Sequence, residues 1–106
     1  MANYLIKASY TAAGAQGLLK EGGSKRRAAA AAAMKSVGCK LNGFYFAFGS
    51  TDLYCIVDAP DHATIAAAAL AINSSGAVRT ETVVLMTPEE IDAAVEKQVK
   101  YRAPGQ

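Results

Sequence analysis

The strongest constraint on the fold is a stretch in the middle of the chain, residues 44–57, which reads FYFAFGSTDLYCIV. Aromatic and β-branched residues, which favour strands, dominate both of its ends. The break between the ends, Gly49-Ser50-Thr51-Asp52, contains mainly residues that favour turns. The stretch therefore predicts a β-hairpin, in which Phe48 pairs with Leu53 across the turn.

Helical and extended patterns flank this hairpin on both sides. We expect Ser24 and Asp61 to cap two alanine-rich helices, whose small side chains let a helix lie close to a sheet. Thr87-Pro88-Glu89-Glu90 is typical of a helix start. The other predicted segments are a strand at 4–9, a connection at 11–24 with a short helical turn at 16–20, helices at 25–37 and 62–73, a strand at 78–86, and a helix ending near 100.

The predicted order is βαββαβ followed by one helix. With right-handed crossovers, this order gives an α+β, ferredoxin-like fold, in which a four-stranded antiparallel sheet carries both crossover helices on one face. We expect a single domain over residues 1–100, including the extra C-terminal helix, and a frayed tail over residues 101–106.

Composition favours a folded protein of the cytoplasm. Of the 106 residues, 52% are hydrophobic, 19% are charged and 3 are proline, which argues against disorder. In the predicted register Cys39 and Cys55 lie roughly 23 Å apart, so we expect two free thiols and a reducing compartment. The N-terminal residues lack a signal-peptide pattern, and no apolar run approaches the ~20 residues that span a bilayer, so we expect no membrane partner.

The two faces of the predicted hairpin are both apolar. Leu53, Cys55 and Val57 share the face that suits packing under the helices, and the opposite face, which we call the open face, carries Tyr45 and Tyr54. A sheet face in contact with water normally shows polar residues. We therefore expect the open face to be covered by the C-terminal helix or, our preferred interpretation, by a second copy of the chain.

Three segments, read in order, resemble the GYD domain family. These are Gly49-Ser50-Thr51-Asp52 before an apolar strand, Asp58-Ala59-Pro60-Asp61 before an alanine-rich helix, and Val78-Arg79-Thr80-Glu81-Thr82. The resemblance covers residues 4–90. Family members usually read Gly-x-Tyr-Asp at the hairpin turn, so Gly49 and Asp52 match, whereas Thr51 replaces the tyrosine.

The resemblance implies a fold and an assembly but no activity. The family is similar to the dimeric α+β barrels, which pair their open sheet faces, so it implies a homodimer or a higher homo-oligomer. The biochemical function of the family is not established. The resemblance therefore leaves the activity of this chain open.

Four residues are the candidate ligand-binding residues. Lys7, Tyr45 and Tyr54 would share the open face and line a pocket between paired sheets, with Asp52 at its mouth. The competing interpretation is structural: the tyrosines pack at the interface with their hydroxyls at its rim. For Asp52 it is a side-chain hydrogen bond that closes the turn.

The sequence offers no catalytic or metal-binding set. His62 is the single histidine and neither cysteine stands at ligand spacing from it, so we expect an exposed, inert His62 and neither metal nor cofactor. Lys25-Arg26-Arg27 lies at a helix N-terminus, where the helix dipole disfavours positive charge. The interpretations, in order of preference, are a solvated surface, an interface ion pair and an anion site.

Three function hypotheses follow from these observations. The first is a homo-oligomeric GYD-type protein that holds a small molecule between paired sheets. The second is a cofactor-independent enzyme that acts on a small organic or aromatic molecule, an analogy of fold alone. The third is a weak binder of polyanions or RNA, because residues 1–40 carry seven Lys or Arg and one acid. We expect no nucleic-acid partner, since residues 42–48 lack the basic, small and valine positions of an RNA-binding signature.

Overall fold

The computed structural model describes all 106 residues and has the predicted α+β architecture. The four strands form one antiparallel sheet in the order β2-β3-β1-β4, the ferredoxin-like arrangement of two split βαβ units. The elements are β1 (Ala2–Tyr10), α1 (Ala12–Glu21), α2 (Gly23–Ser36), β2 (Lys40–Phe46), β3 (Leu53–Ala59), α3 (His62–Ser74), β4 (Val78–Leu85) and α4 (Pro88–Val95).

The predicted hairpin register is wrong by two residues. Leu53 pairs with Phe46 rather than Phe48, which lies fully exposed in the connecting loop. The loop is longer than predicted because the Asp52 amide donates to the Ala8 carbonyl at 2.9 Å, which ties the start of β3 to β1. A slip of two residues returns each side chain to its original face, so the predicted division into two faces is confirmed.

Helix α1 corrects the prediction of a connection with one short helical turn. Ten residues form a regular helix, and the Thr11 hydroxyl at its start accepts from the Gly14 amide at 3.3 Å. Gly14 and Gly17 lower the helix propensity of the segment. Gly14 is needed for packing, because a Cβ there would lie 2.0 Å from the Ala77 carbonyl oxygen.

Helix α2 begins two residues earlier than predicted, so Ser24 is not its cap. Gly22, with φ of 80°, follows the last residue of α1 and precedes the first residue of α2. The left-handed conformation of Gly22 lets the chain turn between two helices within a single residue. Gly38 takes the predicted left-handed conformation after α2, with φ of 78°.

Helix α3 begins as the sequence predicts. The Asp61 carboxylate accepts from the Thr64 amide at 2.8 Å and from its hydroxyl at 2.6 Å. These hydrogen bonds lower the pKa of Asp61. The predicted cap of α4 is also confirmed, because Thr87 and Glu90 form a reciprocal capping box.

The core lies between the sheet and helices α2 and α3. Side chains from alternate positions of β1 and β3 meet Met34 of α2 and Ile65 of α3. Tyr4 and Val57, at the centre of this layer, are the largest fully buried side chains. The strand members of the core are Tyr4, Ile6, Ala8, Leu53, Cys55, Val57 and Ala59.

The C-terminal arm, residues 88–106, does not pack on the body of the protein. All of its residues are exposed, and α4 ends at Val95 rather than near residue 100 as predicted. The radius of gyration is 16.9 Å, against about 13 Å for a compact chain of this length. Both observations indicate that the arm projects from the domain, so α4 does not cover the open face of its own sheet.

Two further observations concern membranes and thiols. No helix combines the length and the apolar character that a bilayer crossing requires. Cys39 and Cys55 are both buried and both free, which confirms the prediction of unpaired thiols.

Candidate functional site

The open face carries a row of four side chains that crosses the whole sheet. Tyr45 of β2 pairs with Tyr54 of β3, Tyr54 pairs with Lys7 of β1, and Lys7 pairs with Glu81 of β4. The Lys7 ammonium lies 4.0 Å from a Glu81 carboxylate oxygen. Three predicted ligand-binding residues, Lys7, Tyr45 and Tyr54, are therefore neighbours, and Glu81 extends their row to the far edge.

The surroundings of this row contain apolar side chains and charges of both signs. Tyr45, on the edge strand β2, is 66% exposed, and Ile56, on the central strand β3, is 37% exposed. Three basic and two acidic residues lie on the same face. The open face consists of Asn3, Leu5, Lys7 and Ser9 on β1, Lys40, Gly43 and Tyr45 on β2, Tyr54, Ile56 and Asp58 on β3, and Arg79, Glu81, Val83 and Leu85 on β4.

Asp52, the fourth predicted residue, stands apart from the row. One of its carboxylate oxygens accepts from the Tyr10 amide at 2.9 Å, at the end of β1. Its own amide and carbonyl bond to Ala8 and Ala47. Asp52 thus holds the hairpin loop against β1 through a bond to a distant strand, whereas the structural interpretation predicted a bond that closes the turn itself.

A second candidate site lies on the helical side of the sheet, and the sequence did not predict it. Helix α2 packs mainly on β2 and α3 mainly on β4, so a cleft of about 260 Å³ opens between them above the central strands. The alanines of α2 are too small to fill it, which is unlike the dense packing usual in protein interiors. The cleft is lined by Ile6, Ala8, Tyr10, Arg26, Ala29, Ala30, Ala33, Met34, Leu41, Phe44, Leu53, Cys55, Ile72, Val78 and Thr80.

The polar groups of the cleft gather at one end. Arg26 and Tyr10 line both this cleft and a neighbouring depression that leads to Glu21 on α1. Burial raises the pKa of Tyr10, although the neighbouring Arg26 guanidinium acts in the opposite direction. Tyr10 is therefore a neutral phenol at physiological pH and, together with the permanently charged Arg26, offers hydrogen-bond donors at the end of the cleft.

The thiol in the cleft is not an activated nucleophile. Burial raises the pKa of Cys55 to about 11. The thiolate, which is the reactive form, is therefore scarce at neutral pH. The chemistry that the cleft offers is binding of an apolar body with a polar group at the Arg26 end.

The structure gives His62 a role that the sequence did not predict. Its side chain is exposed, as expected, but Nδ1 is hydrogen-bonded to the buried Tyr4 hydroxyl at 2.5 Å. The two rings meet edge to face, with centroids 5.7 Å apart. His62 therefore satisfies a core phenol, a contact between β1 and α3 that sequence spacing cannot show.

Metal-binding geometry is not found on either side of the sheet. No group of three or more His, Cys, Asp or Glu side chains lies close enough together to hold a metal ion.

The fold and the sequence together define the class of this protein. It is a ferredoxin-like α+β domain with one face of its sheet covered by helices and the other face open. The family model of the GYD domain matches residues 4–95, so the chain belongs to the GYD domain family. A search of curated proteins and a search of solved structures each gave no match.

Proposed function

We propose that this GYD-domain protein acts as a homo-oligomer in which two copies pair their open sheet faces. The observation that carries the proposal is the uncovered row of Tyr45, Tyr54, Lys7 and Glu81 with its apolar neighbours. An apolar sheet face is stabilised when another surface removes it from water. The C-terminal arm of the same chain does not cover it, which leaves a second copy as the preferred partner.

The charges of the open face suit pairing with a copy of itself. A two-fold interface brings the same patch from both subunits together, so a patch of one sign would repel its copy. Lys7, Lys40 and Arg79 share this face with Glu81 and Asp58, so both signs of charge are present on each copy. The tyrosines add large contact areas, and their hydroxyls can reach partners at the rim.

The dimensions of the face support an interface of ordinary size. Four strands spaced about 4.8 Å apart, each of about eight residues, give a flat footprint of about 500 Å². Stable interfaces bury about 800 Å² of accessible surface on each partner. We propose that the C-terminal arm supplies the remainder. Ile91 and Val95 lie four residues apart on one side of α4 and are both exposed, as is Val99 beyond the end of the helix.

The proposal includes a small molecule held between the paired sheets. Lys7, Tyr45 and Tyr54 would contact it, with Asp52 at the edge of the space. Because Lys7 already faces Glu81 and Asp52 already accepts from Tyr10, the tyrosine rings would supply most of the contact. This favours a planar, largely apolar guest.

The replacement of Tyr54 by glutamate tests the assembly. In Tyr54→Glu, a carboxylate at the centre of each paired face would be buried without a partner, so we expect dissociation into monomers with an unchanged circular dichroism spectrum. Size-exclusion chromatography with light scattering reports the mass, and native mass spectrometry of the wild type reports any bound guest.

Leu70→Glu is the matched control, because it also introduces a carboxylate at an exposed apolar residue. Leu70 lies on α3, is 72% exposed and is far from the open face. We expect Leu70→Glu to elute with the wild type. An unchanged mass for Tyr54→Glu, or equal dissociation of both variants, would contradict sheet-face pairing.

A further inference from the structure

We propose that the cleft between α2, α3 and the sheet binds a small apolar carboxylate of about ten heavy atoms, with its anionic group at Arg26. The cleft lies on the opposite side of the sheet from the open face. The inference is therefore independent of the assembly proposed above, and each can fail without the other.

The volume and lining of the cleft set the size of the guest. An apolar cavity of about 150 Å³ accommodates benzene, which has six heavy atoms. In proportion, the 260 Å³ cleft suits a guest of about ten heavy atoms. Its floor consists of β-strand side chains such as Ile6, Leu53 and Val78, and its wall is the alanine face of α2, so only an apolar body fits.

The polar end of the cleft sets the charge of the guest. Arg26 offers guanidinium donors and Tyr10 offers a phenol O–H, a combination that suits a carboxylate. The Arg26 side chain retains 34% exposure and lies 3.7 Å from a Glu21 oxygen, which is too long for a strong hydrogen bond. A ligand carboxylate can therefore engage the remaining donors or take the place of Glu21.

The positions of the basic residues explain why Arg26, rather than its neighbours, would bind the carboxylate of the ligand. Arg26 is the one member of Lys25-Arg26-Arg27 that lines the cleft. Arg27 lies at the next helical position and faces depressions beside β2 instead. This difference provides a matched control of identical chemistry one residue away.

Octanoate, which has ten heavy atoms, and 1-octanol, its uncharged counterpart, are the probes. Isothermal titration calorimetry on the wild type should show octanoate binding at least about tenfold more tightly than 1-octanol, since hydrogen bonds to charged groups exceed neutral ones by this order. In Arg26→Gln this preference should disappear, whereas Arg27→Gln should retain it. Amide resonances of the cleft residues should shift on titration of the wild type.

A second pair of variants tests where the probes bind and leaves the charge of the protein unchanged. Ala30→Leu should fill the cleft and weaken both probes about tenfold or more, whereas Ala32→Leu, on an exposed position of α2 outside the cleft, should bind both like the wild type. Tyr54→Glu should also bind octanoate normally. No binding to the wild type, equal affinity for the two probes, or resonance shifts confined to the open face would overturn the proposal.

Discussion

The two faces of the sheet differ in how far their apolar side chains are buried and in what covers them. On the helical face, Tyr4 and Val57 are fully buried, yet the alanine-rich helices leave a cleft above them. On the open face, Tyr45 and Ile56 are solvent-exposed although their chemistry is that of an interior. The helical face is thus covered by small side chains, and the open face has large side chains without cover.

Because of this difference, we expect the helical face to determine folding stability and the open face to determine recognition. The helical face supplies the buried area that stabilises a single chain, because the core cluster lies there. The open face contributes little to that stability and much to the surface that a partner would contact. Substitutions on the helical face should therefore lower the free energy of unfolding, and substitutions on the open face should change assembly.

The largest effect on folding stability is expected at Gly14, where α1 packs closely against the Ala77 carbonyl. In Gly14→Ala, the new methyl group would collide with the Ala77 carbonyl, so we expect the free energy of unfolding to fall by about 3 kcal/mol. Urea denaturation measures the change. Gly17→Ala is the control, because a Cβ there meets no atom within 4 Å, and alanine should stabilise the same helix by up to about 1 kcal/mol. Equal effects at both positions would refute the close contact.

Adjacent residues of β3 compare the two faces directly. Val57→Ala removes two buried methyl groups and should cost about 2 kcal/mol of unfolding free energy in a monomeric background such as Tyr54→Glu. Ile56→Ala, on the open face, should cost less than half as much there. In the assembled wild-type background, Ile56→Ala should instead shift the concentration dependence of the mass. A larger folding cost at Ile56 than at Val57 would reverse the assignment of the faces.

The smallest effect is expected at the contact between Tyr4 and His62. His62→Ala leaves the buried Tyr4 hydroxyl without its partner and should lower the free energy of unfolding by about 1 kcal/mol. The double variant Tyr4→Phe/His62→Ala should recover part of this loss, since no unpaired phenol is left. If thermal denaturation shows no recovery, the hydrogen bond does not stabilise the fold.

The order of the elements predicted the architecture, and the alternation of residues predicted the composition of both hairpin faces. A strand has a period of two, so Leu53, Cys55 and Val57 had to share a face whatever the exact register. The pairing of Lys7 with Tyr54 could not be predicted in this way, because contacts distant in sequence decide which residues of β1 lie on the open face. The register itself was predicted two residues out, since the Asp52 bonds to β1 that fix the loop are also long-range.

Two features could not be predicted because they depend on distances between elements. The glycines of α1 argue against a helix locally, and only the approach of the Ala77 carbonyl explains Gly14. The cleft depends on how far apart α2 and α3 lie, which the alanine run of α2 does not specify. The alanine pattern predicted close approach to the sheet, whereas the structure combines that approach over β2 with a gap above the central strands.

The mass of the wild-type protein in dilute solution tests the central claim most directly. One chain weighs 11.0 kDa, so sheet-face pairing predicts about 22 kDa, twice that value, or a multiple of it, by light scattering at micromolar concentration. Hydroxyl-radical labelling of the same sample should show protection of the Tyr45 and Tyr54 side chains that decreases on dilution. A mass of 11.0 kDa at every concentration, with both tyrosine side chains labelled equally at every concentration, would contradict the account.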